Sequence, residues 1–129
     1  MEAKEILENV LKSFNGGKNW VKGNYYARRG PNKEEFCLMG GIYKETVPDY
    51  NGGIFYGHGG NNQGKEQRQA IVALANEIRR SQKQSPNLDP LRKEDVDIAH
   101  HEIVSYNDAA RSNWNGVEGK LKRAIKRLS

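Results

Sequence analysis

The sequence is poor in cysteine and has no long apolar run, and each shortage excludes a class of protein. A single cysteine, Cys37, among 129 residues cannot form an intrachain disulfide, so a reducing cytoplasm is the expected compartment. No apolar segment approaches the roughly 20 residues that span a bilayer. The polar, charged start of the chain also differs from a secretory signal. We therefore expect a cytoplasmic protein without membrane contact.

Acidic side chains are missing from the end of the chain. The last 19 residues hold six of the 21 basic residues and one of the 16 acidic ones, Glu118, so the formal charge of +5 lies entirely there. A basic excess confined to one element favours a polyanionic partner. Mobile counterions are the alternative, because charge alone does not identify what neutralises it.

Apolar periodicity predicts a mostly α, compact single-domain bundle of four or five helices over residues 1–129. The predicted helices cover residues 2–14, 33–44, 65–82, 91–105 and 115–128. Asn32 is the expected cap of the second helix, and Gly40–Gly41 inside it predicts close approach of another backbone. Residues 20–27 are expected to be extended, and a long Gly-rich loop follows residue 46. We expect the first and last helices to pack on the helix at 65–82.

The last predicted helix separates its apolar and basic residues. Apolar residues recur at helical spacing from Val117 to Leu128, and a basic face lies opposite them. This face comprises Lys120, Lys122, Arg123, Lys126 and Arg127. A cationic helix face can follow a phosphate backbone and release its counterions. The alternative is a solvated face, with cations favoured near the negative end of the helix dipole.

A second basic segment lies beside aromatic residues. Trp20, Tyr25 and Tyr26 precede Arg28 and Arg29, and aromatic rings beside arginines can stack bases and hold phosphates. The two arginines are therefore predicted to assist the basic helix in binding. Alternatively, the rings complete a thin core and the arginines are solvated.

Cys37 is the candidate nucleophile of a rival interpretation. A cysteine near a helix N-terminus can ionise readily and act in a hydrolase or transferase. A histidine and an orienting amide or carboxylate would have to lie beside it in space. The candidates are His58, His100 and His101, with Asn107 or Asp108. Its apolar neighbours, Phe36, Leu38 and Met39, favour instead a buried and inert thiol.

The Gly-rich loop offers a third interpretation. Phe55 and Tyr56 lie between its glycine pairs and could anchor the loop to a partner protein. Residues 59–65 lack the Gly-Lys-Ser/Thr ending of a P-loop, although backbone amides there could hold an anion. Flexibility alone also accounts for the glycines.

Metal and cofactor motifs are weak in this chain. His100 and His101 are adjacent and point to different faces of a helix, while Asp97 and His101 could share one. We therefore expect no metal and no cofactor.

Three segments together resemble a small uncharacterised domain family of actinobacteria and their phages. They are Trp20 to Ala27, the Phe36-Cys37 segment through Ile42, and Tyr106-Asn107-Asp108 before a terminal amphipathic helix. Tyr106 stands where that family usually has tryptophan. The resemblance implies a compact helical domain, a phage or mobile-element context, and structural roles for Cys37 and the Asn-Asp pair.

Taken together, these features favour a non-enzymatic accessory protein of a phage or mobile element. Its expected target is nucleic acid or a host protein that handles nucleic acid, and defence inhibition would suit that role. The oligomeric state is left open.

Overall fold

The computed structural model describes residues 2–31, 33–47, 50 and 64–129, and most of these are helical. The α-helices are α1 (Ala3–Ser13), α2 (Leu38–Thr46), α3 (Gly64–Ser81), α4 (Lys93–Asp108) and α5 (Trp114–Leu128). A short 3-10 turn, Asn15–Gly17, follows α1, and two short strands, β1 (Ala27–Gly30) and β2 (Lys33–Glu35), precede α2. None of these helices is both long and apolar enough to cross a bilayer.

The helices bury the apolar stripes that predicted them. α1 packs against α2, α3 and α5, and α3 also packs against α4 and α5. The expected packing of the first and last helices on α3 is therefore confirmed. Ile6, Leu74 and Leu121 are each about fully buried where these helices meet, which removes their apolar surface from water. The mostly α prediction is confirmed for the described residues.

α5 begins directly after a residue that caps its first turn. The Asn113 side chain accepts a hydrogen bond from the Gly116 amide at 2.9 Å, so one unpaired N–H of the first turn is satisfied. Val117 and Leu121 then face the core. The basic residues of the second half are left on the remaining circumference of the helix.

The helix expected over residues 33–44 is wrong in its first half. Residues 33–35 form β2, which pairs antiparallel with β1, and α2 begins only at Leu38. The side chains of Glu34 and Glu35, expected to start a helix, bind neighbours of the hairpin instead. Glu34 accepts hydrogen bonds from Tyr26 at 2.6 Å and from Lys44 at 3.0 Å. The helix cap is Cys37, and the expected cap, Asn32, lies outside the described residues.

The glycine pair of α2 does bring two backbones together, as expected. A Cβ on Gly40 would lie 1.7 Å from the carbonyl oxygen of Tyr25, a distance that no side chain tolerates. A Cβ on Gly41 would lie 3.0 Å from Val10. The segment after α1 therefore passes directly over α2.

Residues 20–26 are not a strand, although Trp20 forms one isolated bridge with Phe36.

Candidate anion-binding surface

Three arginines from two helices converge on one buried carboxylate. Glu77 lies on α3 and its side chain is 2% exposed. The Arg80 guanidinium lies 2.9 Å from a Glu77 oxygen, and Arg127 donates to the same oxygen from α5. The Nε of Arg123 lies 3.8 Å from the other oxygen. We call these four side chains the Glu77 cluster.

The Glu77 cluster carries more positive charge than its carboxylate neutralises. One carboxylate faces three guanidinium groups, and the side chains of Arg123 and Arg127 are 54% and 56% exposed. Each guanidinium has five N–H donors in a planar fork. Most of these donors have no partner within the cluster, because two carboxylate oxygens accept only a few bonds. The surface can therefore accept a further anion.

The neighbouring lysines of α5 differ in how they are paired. Lys122 lies 3.6 Å from Glu118, an exposed pair of little strength. Lys126 is exposed and forms no ion pair with any residue in the described part of the chain. With Arg123 and Arg127 it lines a shallow depression. Lys122, Lys126 and the Glu77 cluster together form a continuous cationic face.

Lys120 does not lie on this face, contrary to the prediction. It is 8% exposed, and its amine lies 5.2 Å from the centre of the Tyr106 ring. Burial, and then the nearby positive charge of Arg123, lower the pKa of the Lys120 ammonium. One turn of helix separates Lys120 from Ala124, so it falls at the edge of the buried stripe.

The two hairpin arginines lie in a different part of the fold. Arg28 donates to the Pro31 carbonyl at 3.3 Å, and Arg29 forms an ion pair with Glu35 at 2.8 Å. Both partners belong to the hairpin or its turn. The hairpin is fixed to α2 through Glu34 and Lys44, whereas α5 packs on α1 and α3. Any contribution of these arginines to binding therefore remains a prediction.

All three aromatic residues near the hairpin have structural partners and pack against the core. Tyr25 stacks on Tyr43 with ring centroids 6.1 Å apart and also contacts the ring of His100. The Tyr26 hydroxyl donates a hydrogen bond to Glu34, and this bond raises the pKa of Tyr26. The alternative in which these rings complete the core fits both tyrosines. It also fits Trp20, which packs against the core beside Trp114 at the start of α5.

Asn107 joins three parts of the chain from the end of α4. It is fully buried. Its Oδ1 accepts from the Trp20 indole at 2.6 Å and from the Leu38 amide at 3.0 Å. Its Nδ2 donates to the Val21 carbonyl at 3.0 Å. Asp108 adds a bond from the Gly23 amide at 2.8 Å. The pair therefore has a structural role, broader than the turn cap that the resemblance implied.

Cys37 packs in the core, as its apolar neighbours predicted. It is 4% exposed, and its Sγ accepts a hydrogen bond from the Gly40 amide at 3.4 Å. Burial raises the pKa of the thiol to about 11. A thiol with this pKa is almost wholly protonated at neutral pH and is a poor nucleophile. Burial also lowers the pKa of His100, whereas His58 lies outside the described residues.

Glu77 and Arg80 complete the candidate site, and neither was predicted from the sequence. The missed signal was a carboxylate seven residues after Ala70 and three residues after Leu74, on the buried side of α3. Acidic side chains are almost never fully buried without a partner. A glutamate in an apolar stripe therefore calls for cations nearby, although it does not say which ones. Phe55 and Tyr56, the anchors of the loop hypothesis, lie outside the described residues.

The chain belongs to a family of unknown function, DUF6197, whose profile matches residues 1–127. The expected membership of a small uncharacterised domain family is therefore confirmed. No curated protein and no solved structure shows a significant match to the chain.

Proposed function

We propose that the protein binds nucleic acid through the cationic face of α5 and the end of α3. In this proposal it is a non-enzymatic accessory protein of a phage or other mobile element and acts in the host cytoplasm, for example as a defence inhibitor. The observation that carries the proposal is the Glu77 cluster, in which three guanidinium groups share one carboxylate.

The arginines of the cluster favour phosphate over other anions as the ligand. Its planar fork donates two parallel hydrogen bonds to phosphate oxygens, which a point charge cannot do. In the cluster, the Arg127 Nε donates a hydrogen bond to Glu77, whereas the Arg123 Nε lies 3.8 Å away from it. Both arginine side chains remain more than half exposed. Lys126 and Lys122 extend the positive potential along the helix. A row of cations of this kind can neutralise several phosphates of one backbone and release their counterions.

The helix dipole explains only part of this arrangement. Cations in the last turn of a helix are favoured by its negative end, which accounts for Lys126 and Arg127. Arg123 and Lys122 lie before that turn, where the effect has faded. Acidic residues would interleave with them on an ordinary solvated face, yet none follows Glu118. Polyanion binding accounts for all four residues at once.

The salt dependence of nucleic-acid binding tests the proposal. We expect a labelled oligonucleotide to bind at about 50 mM salt and to dissociate steeply as salt rises. A triple variant, Arg123→Gln, Lys126→Gln and Arg127→Gln, should lower the slope of log affinity against log salt by about 3, because each lost phosphate contact removes roughly one unit.

A matched control separates the cationic face from net charge. Lys33→Gln, Arg92→Gln and Lys93→Gln remove three exposed cations from the hairpin and from the start of α4. This variant has the same formal charge as the first, and we expect it to bind almost as wild type does. Absence of binding at low salt would overturn the proposal. Equal weakening by both triple variants would show that α5 has no special role.

A further inference from the structure

Both tryptophans of the chain meet at the start of α5. Trp114 is the first residue of the helix, and Trp20 lies in the segment that follows the 3-10 turn. Their ring centroids are 6.5 Å apart and the planes are inclined by 46°. Each side chain is partly exposed, and the sequence contains no other tryptophan. The described surface therefore presents a paired indole patch, which we call the tryptophan pair.

The surrounding structure holds both indoles in place. The Trp20 Nε1 donates to Asn107 at 2.6 Å. Gly17 lies against the ring of Trp114, so that a Cβ there would come within 2.6 Å of it. Phe14 meets the same ring edge-on at a centroid distance of 5.5 Å. A ring fixed in this way loses little further entropy when a ligand stacks on it.

Basic residues outnumber acidic ones near the tryptophan pair. The Lys22 amine lies 5.9 Å from the centre of the Trp20 ring and donates to the Ala109 carbonyl at 2.7 Å. Lys18 directly follows Gly17, and Arg111 precedes Trp114 by three residues; both are exposed. The adjacent carboxylate of Asp108 already accepts from the Gly23 amide. The local charge therefore suits an anionic ligand rather than a cationic one.

One ridge of α5 connects the tryptophan pair to the cationic face. Trp114, Glu118, Lys122 and Lys126 recur every four residues, and side chains at this spacing lie one above the other. Twelve residues of helix span about 18 Å, which is long enough for several nucleotides of one strand. Glu118 interrupts the ridge, but it is paired with Lys122. A strand lying along α5 could reach both ends.

We propose that the ligand of α5 is a single-stranded nucleic acid whose bases stack on Trp20 and Trp114. This inference rests on the proposed function, because the cationic face supplies the phosphate contacts. In a duplex the base faces are covered by their neighbours, whereas a single strand offers them to aromatic side chains. Stacking is tolerant of sequence, since every base has a π-face.

Intrinsic fluorescence tests the proposal directly, because every tryptophan of the protein belongs to the pair. The full-length protein is titrated with four ligands of about 15 nucleotides: single-stranded DNA, single-stranded RNA, duplex DNA and an abasic phosphodiester strand. We expect both single strands to quench the fluorescence. The duplex and the abasic strand should bind more weakly and leave the emission almost unchanged.

A conservative variant separates stacking from charge. Trp114→Phe keeps an aromatic ring over Gly17 and changes no charge, so the salt slope should stay the same while single-strand affinity falls by about tenfold. Circular dichroism and thermal unfolding check that the variant is folded; Trp20→Phe provides a second reading if it is not. Binding without quenching, or equal affinity for duplex and single strand, overturns this inference and leaves the proposed function standing. No binding to any of the four ligands overturns both.

Discussion

Asn107 and Asp108, with the residues that they hydrogen-bond, form what we call the Asn107 junction. This junction and the Glu77 cluster are each centred on a buried polar residue, but they differ in whether its hydrogen-bonding partners are in excess. Asn107 is fully buried, and both its oxygen and its nitrogen bond to groups of the protein itself. Glu77 is equally buried, yet three guanidinium groups compete for its two oxygens. The junction is therefore satisfied internally. The cluster keeps a surplus of donors and of charge that points to solvent.

This difference separates residues that build the fold from residues free to bind. Asparagine, aspartate and cysteine often act in catalysis. In and beside the junction, however, each of these side chains forms a hydrogen bond with a backbone group of the chain. Cys37 caps α2 and Asp108 holds Gly23. At the cluster, only part of each arginine is used. We therefore expect a buried polar group with an excess of partners to be a better guide to a ligand surface than the residue type alone.

The largest expected effect is that of Gly40→Ala, because the added side chain would clash with the backbone that passes over α2 near the junction. The new Cβ would lie 1.7 Å from the Tyr25 carbonyl oxygen and 2.6 Å from its carbon, so backbone would have to move. We expect a loss of more than about 4 kcal/mol of unfolding free energy, which is a large part of the roughly 5–15 kcal/mol typical of native proteins. Gly30→Ala is the control, because nothing lies within 4 Å of its added Cβ. Chemical denaturation compares the two, and a stable Gly40→Ala protein would contradict the close approach.

Asn107→Ala should have the next largest effect, because it leaves buried groups without partners. The Trp20 indole N–H, the Leu38 amide and the Val21 carbonyl all lose a hydrogen bond. We expect destabilisation by about 3 kcal/mol or more. Asn115→Ala, on the exposed side of α5, should change stability by less than about 0.5 kcal/mol. Similar losses for both variants would refute the special role of the junction.

The sequence predicted those parts of the molecule that depend on local periodicity. The helices at residues 2–14, 65–82, 91–105 and 115–128 agree with α1, α3, α4 and α5 to within a few residues. The hairpin was missed because pairing between β1 and β2 competes with helix propensity and leaves little trace in a short segment. Glu34 and Glu35 fit the first turn of a helix equally well. Only the contact of Glu34 with Lys44 and Tyr26 distinguishes the two structures.

The candidate site could be predicted on one helix but not across two. The charges of α5 were visible, since they follow from spacing along one element. The meeting of Arg123 and Arg127 with Glu77 joins residues about fifty positions apart, and such proximity depends on how α3 and α5 pack. The burial of Lys120 has the same origin. Lys120 lies at the boundary of the apolar stripe, and it is buried because its amine packs over the ring of Tyr106 on α4.

Glu77→Gln tests the difference between the two sites, because it should lower the stability of the protein and raise its affinity for nucleic acid. Loss of the carboxylate leaves three guanidinium groups close together without their counter-charge, and we expect about 1–3 kcal/mol of destabilisation. The same change adds one unit of positive charge to the face. Affinity for an oligonucleotide at about 50 mM salt should therefore rise several-fold. Denaturation and fluorescence anisotropy measure the two effects, and a parallel fall in both would contradict this account.

The smallest expected effect concerns Lys120, which sequence spacing assigned to the cationic face and the fold assigns to the interior. Lys120→Met keeps the apolar contact with Tyr106 and removes the ammonium charge. Burial lowers the pKa of that ammonium group. A cation with a lowered pKa opposes folding while it is protonated. The variant should therefore gain up to about 1 kcal/mol over wild type near neutral pH, and the gain should shrink as pH rises above the pKa of the folded lysine.

Lys126→Met, which removes an exposed cation, is the matched comparison for binding. It should weaken oligonucleotide binding and lower the salt slope by about 1, because Lys126 faces solvent. Lys120→Met should change the slope by much less, since an amine covered by Tyr106 makes no direct phosphate contact. If the two lysines contribute equally, the boundary between interior and binding surface does not run between them, and the cationic face must extend around α5 toward α4.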